Sequence, residues 1–179
     1  CFFGGMEQVD RERSLIQLRN SSQRTLLATD LAARGIDIPG LDYIVHYEMP
    51  PREEEFTHRN GRTARMNADG SAICIKGKND KIPDYARGIK IKEIKAGTKI
   101  PKNKWKTLFV SGGRRDKISK GDIAGLFIKK GNLEGGELGV IELKNDCAFV
   151  AVSSAKADDI CYKLNNERLK KKKVRVRKI

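Results

Sequence analysis

WKTLFVSGGRRDKISKGDIAGLFIKKG, residues 105–131, changes its period halfway along. TLFVS alternates apolar side chains at every second position, as a strand with one buried face does. SKGDIAGLFIKKG instead spaces Ile123, Leu126 and Phe127 like the apolar stripe of an amphipathic helix. Ser119 stands where a hydroxyl caps a helix start, and Gly131 where a helix stops. Downstream, ELGVIEL (137–143) and CAFVAV (147–152) read as strands. SAKADDICYKLN (154–165) reads as a second helix capped by Ser153 or Ser154, and KVRVRKI (173–179) as a closing strand. The order β-α-β-β-α-β is the split β-α-β arrangement, so a ferredoxin-like domain is expected over 105–179.

Upstream the pattern differs. MEQVDRERSLIQLRN (6–20) places Leu15 and Leu18 at helical spacing, while TLLA (25–28), YIVHY (43–47) and SAICI (71–75) read as short buried strands. Strands separated by helical or loop segments predict a parallel α/β sheet over residues 1–95. AGTKIPKNK (96–104) is rich in Gly, Pro and Lys without periodicity and reads as a linker. The chain opens without Met and in mid-pattern, which we take as a fragment of a longer protein.

Bulk properties narrow the class. Of 179 residues, 39% are hydrophobic and 34% charged, and no apolar run reaches the ~18 residues that span a bilayer. The net charge is +14, of which residues 101–179 supply most, with 20 Lys and Arg against 9 Asp and Glu. That excess suits a polyphosphate partner. The 4 cysteines show no CxxC spacing and are not flanked by the 2 histidines, so no metal site is expected. Reduced thiols of a cytoplasmic protein are the simplest account.

Two strings carry chemistry: TDLAARGID (Thr29–Asp37) and HRNGRTAR (His58–Arg65). Arg62 and Arg65 lie three apart and share a face in a helix or tight turn. Paired guanidinium groups grip phosphate bidentately and stay charged at any working pH, as stabilising a phosphoryl-transfer transition state requires. With Gln8 and Arg11 inside GGMEQVDRERSL (4–15), three ordered motifs resemble the C-terminal motor half of DEAD-box RNA helicases. The resemblance implies a partial RecA-like domain in which Arg62 and Arg65 are arginine fingers and His58 a relay between motifs. It implies that Asp37 accepts hydrogen bonds from the ATP ribose, with Arg34 beside Gly35 linking the two motor domains. It further implies that Gln8, Arg11 and Thr29 meet RNA phosphates. The chain contains no GxxxxGK[ST] loop and no DEAD string. ATP and Mg2+ would therefore be held mainly by a first motor domain outside this chain, and the chain alone should not hydrolyse ATP.

The second half resembles the C-terminal domain of DbpA-type DEAD-box helicases, through GRRDKISKGDIAGLF (113–127) and LGVIELKNDCAFVAV (138–152). Alternation turns Leu108, Val110, Ala148, Val150 and Val152 inward and leaves Phe109, Phe149, Arg175 and Arg177 on the opposite face. Such a face suits base stacking in single-stranded RNA. Arg114, Arg115, Lys117 and Lys120 form a rival basic surface on a loop and helix edge. The resemblance implies docking on structured large-subunit rRNA and a setting in pre-ribosomal particles. The alternative is a non-catalytic RNA-binding or annealing module.

Overall fold

The computed structural model describes residues 1–30, 41–63, 70–93, 97 and 99–179. It divides into two compact units, residues 1–35 together with 100–179, and residues 36–99.

In the smaller unit β1 (Tyr43–His46) pairs in parallel with β2 (Ser71–Cys74), in the register Tyr43↔Ser71 to His46↔Cys74. Parallel neighbours require a long crossover, and α2 (Glu53–Asn60) lies within it. Glu53, Glu54 and Glu55 in its first turn and His58 and Arg59 in its last complement the helix dipole. This is the parallel α/β expectation in its smallest form.

The larger unit begins with α1 (Gln8–Arg19), the helix expected over 6–20. TLLA does not form a strand. Phe2 N–H donates to Leu27 O (2.7 Å) and Thr29 N–H to Phe2 O (3.1 Å), so the segment pairs only through a single parallel Phe2↔Ala28 bridge. A four-stranded antiparallel sheet follows, from β3 (Trp105–Val110), β4 (Leu138–Leu143), β5 (Ala148–Ser153) and β8 (Val176–Lys178), in the order β4-β5-β3-β8. Between β3 and β4 runs α3 (Lys120–Gly125), extended by a π-turn over Leu126–Lys130, and between β5 and β8 lie α4 (Ala157–Leu164) and the small hairpin β6 (Arg168–Leu169), β7 (Lys172–Lys173). This is the expected β-α-β-β-α-β order with one added hairpin.

The core fills the side of the sheet that faces α3 and α4. Leu108, Val110, Ile123, Phe127, Val150, Val152, Ile160 and Leu164 are all buried in one cluster. Ser119 caps α3 as expected: its hydroxyl accepts from Asp122 N–H (3.1 Å), and the Asp122 carboxylate accepts from Ser119 N–H (2.8 Å). The cap expected for α4 is corrected. Ser153 ends β5, the Ser154 hydroxyl donates to Asn103 O (2.8 Å), and Lys156 stands at the N-cap of α4 with no side-chain cap bond.

One boundary between the compact units, Lys99 to Ile100, falls inside the expected linker at 96–104, while residues 1–35 group with 100–179. Residues 19–22, at the end of α1, hydrogen-bond to the antiparallel sheet and join the two regions into one body.

Candidate nucleotide and RNA sites

Arg62 follows α2 and is held from both sides in sequence. One position before Gly61, the Asn60 amide oxygen accepts from the Nε2–H of His46, at 2.8 Å. His46 is 1% exposed on β1, and its ring stacks on Phe56 at 4.7 Å. Phe56 in turn meets Tyr85 at 5.2 Å, and the Tyr85 hydroxyl donates to Pro50 O. One position after Arg62, the buried Thr63 hydroxyl donates to Leu41 O at 2.6 Å. The backbone of Arg62 is thus fixed to Leu41, two residues before β1, and to His46 at its end, while its side chain stays half-buried. His58 is exposed on α2. Gly61 closes α2 at φ −64°, and a Cβ there would meet nothing nearer than Thr57 O at 3.5 Å, an ordinary contact. Among the described residues, no contact of that hypothetical Cβ is closer than this. Arg34, Gly35, Asp37 and Arg65 lie outside the described residues. His46, Asn60 and Thr63 were not singled out in the sequence, because their roles depend on pairing across the parallel sheet.

The first RNA candidates fare unequally. Gln8 is exposed at the start of α1. Arg11, one turn on, folds back instead: its guanidinium donates to Phe3 O (3.3 Å) and Gly4 O and lies 5.9 Å from the Phe2 ring centre. Thr29 is exposed, yet its N–H is already committed to Phe2 O. Only its side chain faces outward unengaged by that bridge.

On the sheet, directly opposed residues share a face. The registers therefore set Arg177, Phe109, Phe149 and Glu142 in one row across β8, β3, β5 and β4. Phe109 meets Phe149 edge-on at 5.8 Å, and the Arg177 guanidinium lies 5.1 Å from the Phe109 ring centre. The orientation expected from alternation holds, but the exposure does not. Phe149 is 6% exposed and Phe109 half-buried, because the end of α1 sits over this face. Arg175 and Arg177 are exposed.

The loop after β3 is the better-presented basic surface. Gly113 lets it lie against the β4–β5 turn, where a Cβ would come within 2.5 Å of the Asn145 backbone. From there Arg114 N–H donates to Lys144 O (3.0 Å) and Arg115 N–H to Asn145 O (2.8 Å). Lys117 takes the left-handed conformation at φ 58° and ends the turn. Arg114, Arg115, Lys117 and Lys120 are all exposed, and among the described residues no acidic side chain pairs with them. The two nearby carboxylates serve other partners. Lys172 pairs with Asp116 at 2.7 Å, and Lys170 with Asp122 at 2.7 Å. The Lys172 hydrogen bond, helped by Gly113 N–H, lowers the pKa of Asp116. Hydrogen bonds from Lys170 and then Ser119 hold that of Asp122 at about 2. Two of the tail lysines are thereby neutralised, and the four loop cations are not.

A parallel α/β unit with an arginine whose backbone is fixed just after a helix, and a split β-α-β domain with an exposed basic loop, are the two parts to be placed. Residues 1–67 match the helicase conserved C-terminal domain, and residues 107–178 match the DbpA RNA binding domain. The chain belongs to the DbpA-like DEAD-box RNA helicases, of which it carries the C-terminal region. It is 33% identical over 187 residues to the ATP-dependent RNA helicase DbpA of Escherichia coli (strain K12), covering 97% of this chain and 40% of that protein. Against the ATP-dependent RNA helicase DbpA of Bacillus subtilis (strain 168) it is 27% identical, over 98% of this chain and 43% of that one. The DEAD-box ATP-dependent RNA helicase 9, mitochondrial, of Arabidopsis thaliana is 42% identical over 54% of this chain and 15% of its own length. The chain thus spans less than half the length of these curated relatives.

Proposed function

We propose that the protein to which this chain belongs is an ATP-driven RNA helicase that remodels structured large-subunit rRNA in pre-ribosomal particles of the cytoplasm. The observation that carries the reading is the placement of Arg62. Its backbone is fixed on both sides by part-buried hydrogen bonds from Asn60 and Thr63 to His46 and Leu41, while among the described residues a Cβ on the neighbouring Gly61 would make only ordinary contacts. A ligand approaching the backbone at Gly61 accounts for that glycine.

Arg62, with Arg65, supplies positive charge to the phosphoryl oxygens as negative charge redistributes among them during transfer. Guanidinium keeps its charge throughout and binds two oxygens at once. His58 orients the motif, Asp37 accepts from the ribose, and Arg34 beside Gly35 links this half to the other. Among the described residues no cluster of His, Cys, Asp or Glu is suited to hold a metal. In this reading Mg2+ and the attacking water belong to the first motor domain, and the chain alone does not turn over ATP. Gln8 and Thr29 meet RNA in the motor part, residues 1–95. After the linker at 96–104, the domain at 105–179 docks on rRNA through Arg114, Arg115, Lys117 and Lys120.

The test is Arg62→Ala in the full-length protein. RNA-stimulated ATP turnover should fall by about 10^3-fold or more, the range for loss of an arginine finger, while rRNA affinity stays within twofold. Near-normal turnover removes the finger assignment and leaves the non-catalytic RNA-docking reading.

A further inference from the structure

The sheet face that bears Phe109 and Phe149 already has an occupant. Glu12, Ile16 and Arg19 lie at i, i+4 and i+7 of α1 and form one stripe along the helix. Ile16, in the middle, is the one buried residue of this helix. The charges at either end meet opposite charges on β4 and just beyond it. Arg19 binds Glu142 through two parallel bonds of 2.9 Å, and Lys144 pairs with Glu12 at 2.7 Å.

Beyond the end of α1 the contact turns into a buried hydrogen-bond relay. The Asn20 amide donates to the Thr107 hydroxyl (3.4 Å), and the Thr107 and Ser22 hydroxyls lie 2.7 Å apart. Ser22 Oγ donates onward to Gln17 O (3.1 Å), which fixes Thr107 as the donor to Ser22. Thr107 is 1% exposed beneath these contacts. The Asn103 amide adds a bond to Ser22 O at 2.8 Å.

We infer that this face is the docking surface for α1, the helix that carries Gln8 and Arg11, and is not a platform for stacking bases. Phe109 and Phe149 support the row that ends in Glu142, and Glu142 receives Arg19. A matched pair of opposite charges two helical turns apart selects one register and one direction of the helix. The docked stripe leaves Gln8 exposed at its far end. The basic loop at 114–120 and the start of α1 therefore belong to one compact unit, which on the proposed RNA-binding reading offers a polyanion two points of contact. The inference stands whether or not the intact protein turns over ATP.

Amide hydrogen exchange on the 179-residue chain tests it. Arg19→Glu and Glu142→Arg should each speed exchange at residues 16–19 by tenfold or more, and the double reversal should restore it to within threefold. Amides of Leu108 and Val150 should stay protected throughout, showing that the domain remains folded. Should a reversal at 19 or 142 unfold the domain, the more exposed pair Glu12→Lys and Lys144→Glu gives the same comparison at smaller amplitude. Saturating single-stranded oligouridylate should leave α1 protection unchanged. Single reversals without effect on α1, or α1 released by oligouridylate, would overturn the inference; the second result would return the aromatic face to base stacking.

Discussion

Asn60 and His46 are joined by a 2.8 Å hydrogen bond inside the parallel unit, between the last residue of α2 and the last of β1. The bond satisfies Nε2 of a ring that is 1% exposed, and Nδ1 of that ring has no partner among the described residues. It also fixes the residue two places before Arg62.

Asn60→Ala should cost roughly 1–3 kcal/mol, since it strands a buried donor. Urea denaturation monitored in the near-ultraviolet measures the loss. In the full-length enzyme ATP turnover should drop by more than RNA affinity does, because the change acts on the placement of Arg62. Equal losses in both would mark Asn60 as a structural residue only.

Gly61→Ala separates fold from ligand. Its Cβ finds 3.5 Å of ordinary room and φ −64° suits any residue, so the melting temperature should move by less than about 2 °C. ATP turnover should nevertheless fall at least tenfold if a nucleotide approaches this backbone. Unchanged turnover would leave no ligand reason for the glycine.

Gly113→Ala should behave in the opposite way. The added methyl meets the Asn145 backbone at 2.5 Å, and backbone cannot step aside as a flexible side chain can. A destabilisation of about 1–3 kcal/mol is expected from overpacking, together with weaker RNA binding as the loop shifts. Thermal melts and filter binding on the same sample check both.

Replacing Arg114 and Arg115 with Gln should lower the slope of log affinity against log salt by about 0.7–0.9 for each phosphate contact removed. Titrations between 50 and 300 mM KCl read that slope directly, where ~50 mM to ~300 mM spans the range over which counterion release dominates. An unchanged slope would move the contact elsewhere on the domain.

Acid should loosen the loop from the β6–β7 hairpin. The folded-state pKa of Asp122 is lowered to about 2, chiefly by Lys170 and then Ser119, from an ordinary value of 3.8. A depressed carboxylate pKa gives stability that is present above the unfolded value and is lost as pH falls toward the folded one. The Lys170 and Ser119 contacts should therefore hold at pH 5 and weaken between about pH 4 and pH 2. Carboxyl NMR titration should place the Asp122 midpoint near 2, and in Lys170→Met that midpoint should rise.

What could be read from the sequence follows the range of the interactions. Ser119 and Gly131 were legible because a cap involves only residues within one turn. Alternation gave the facing of Leu108, Val110 and Phe149 correctly, since that property belongs to the strand alone. The burial of Phe149 depends on a helix more than a hundred residues upstream, and no local pattern encodes it. The same holds for Arg11, where an Arg three residues after Gln8 gives no hint that the carbonyls of Phe3 and Gly4 will claim it. Ser153 and Ser154 misled because the same hydroxyl can cap a helix or bond at a strand end, and here Ser154 donates its hydrogen bond to Asn103 O.

The pairing of Lys170 with Asp122 and of Lys172 with Asp116 has a consequence for how the protein meets a polyanion. Two hairpin lysines are paired while the cations at 114, 115, 117 and 120 are not, so positive charge is spread unevenly over the domain. An uneven field exerts a torque on an approaching polyanion before contact, which favours encounters in one orientation over others.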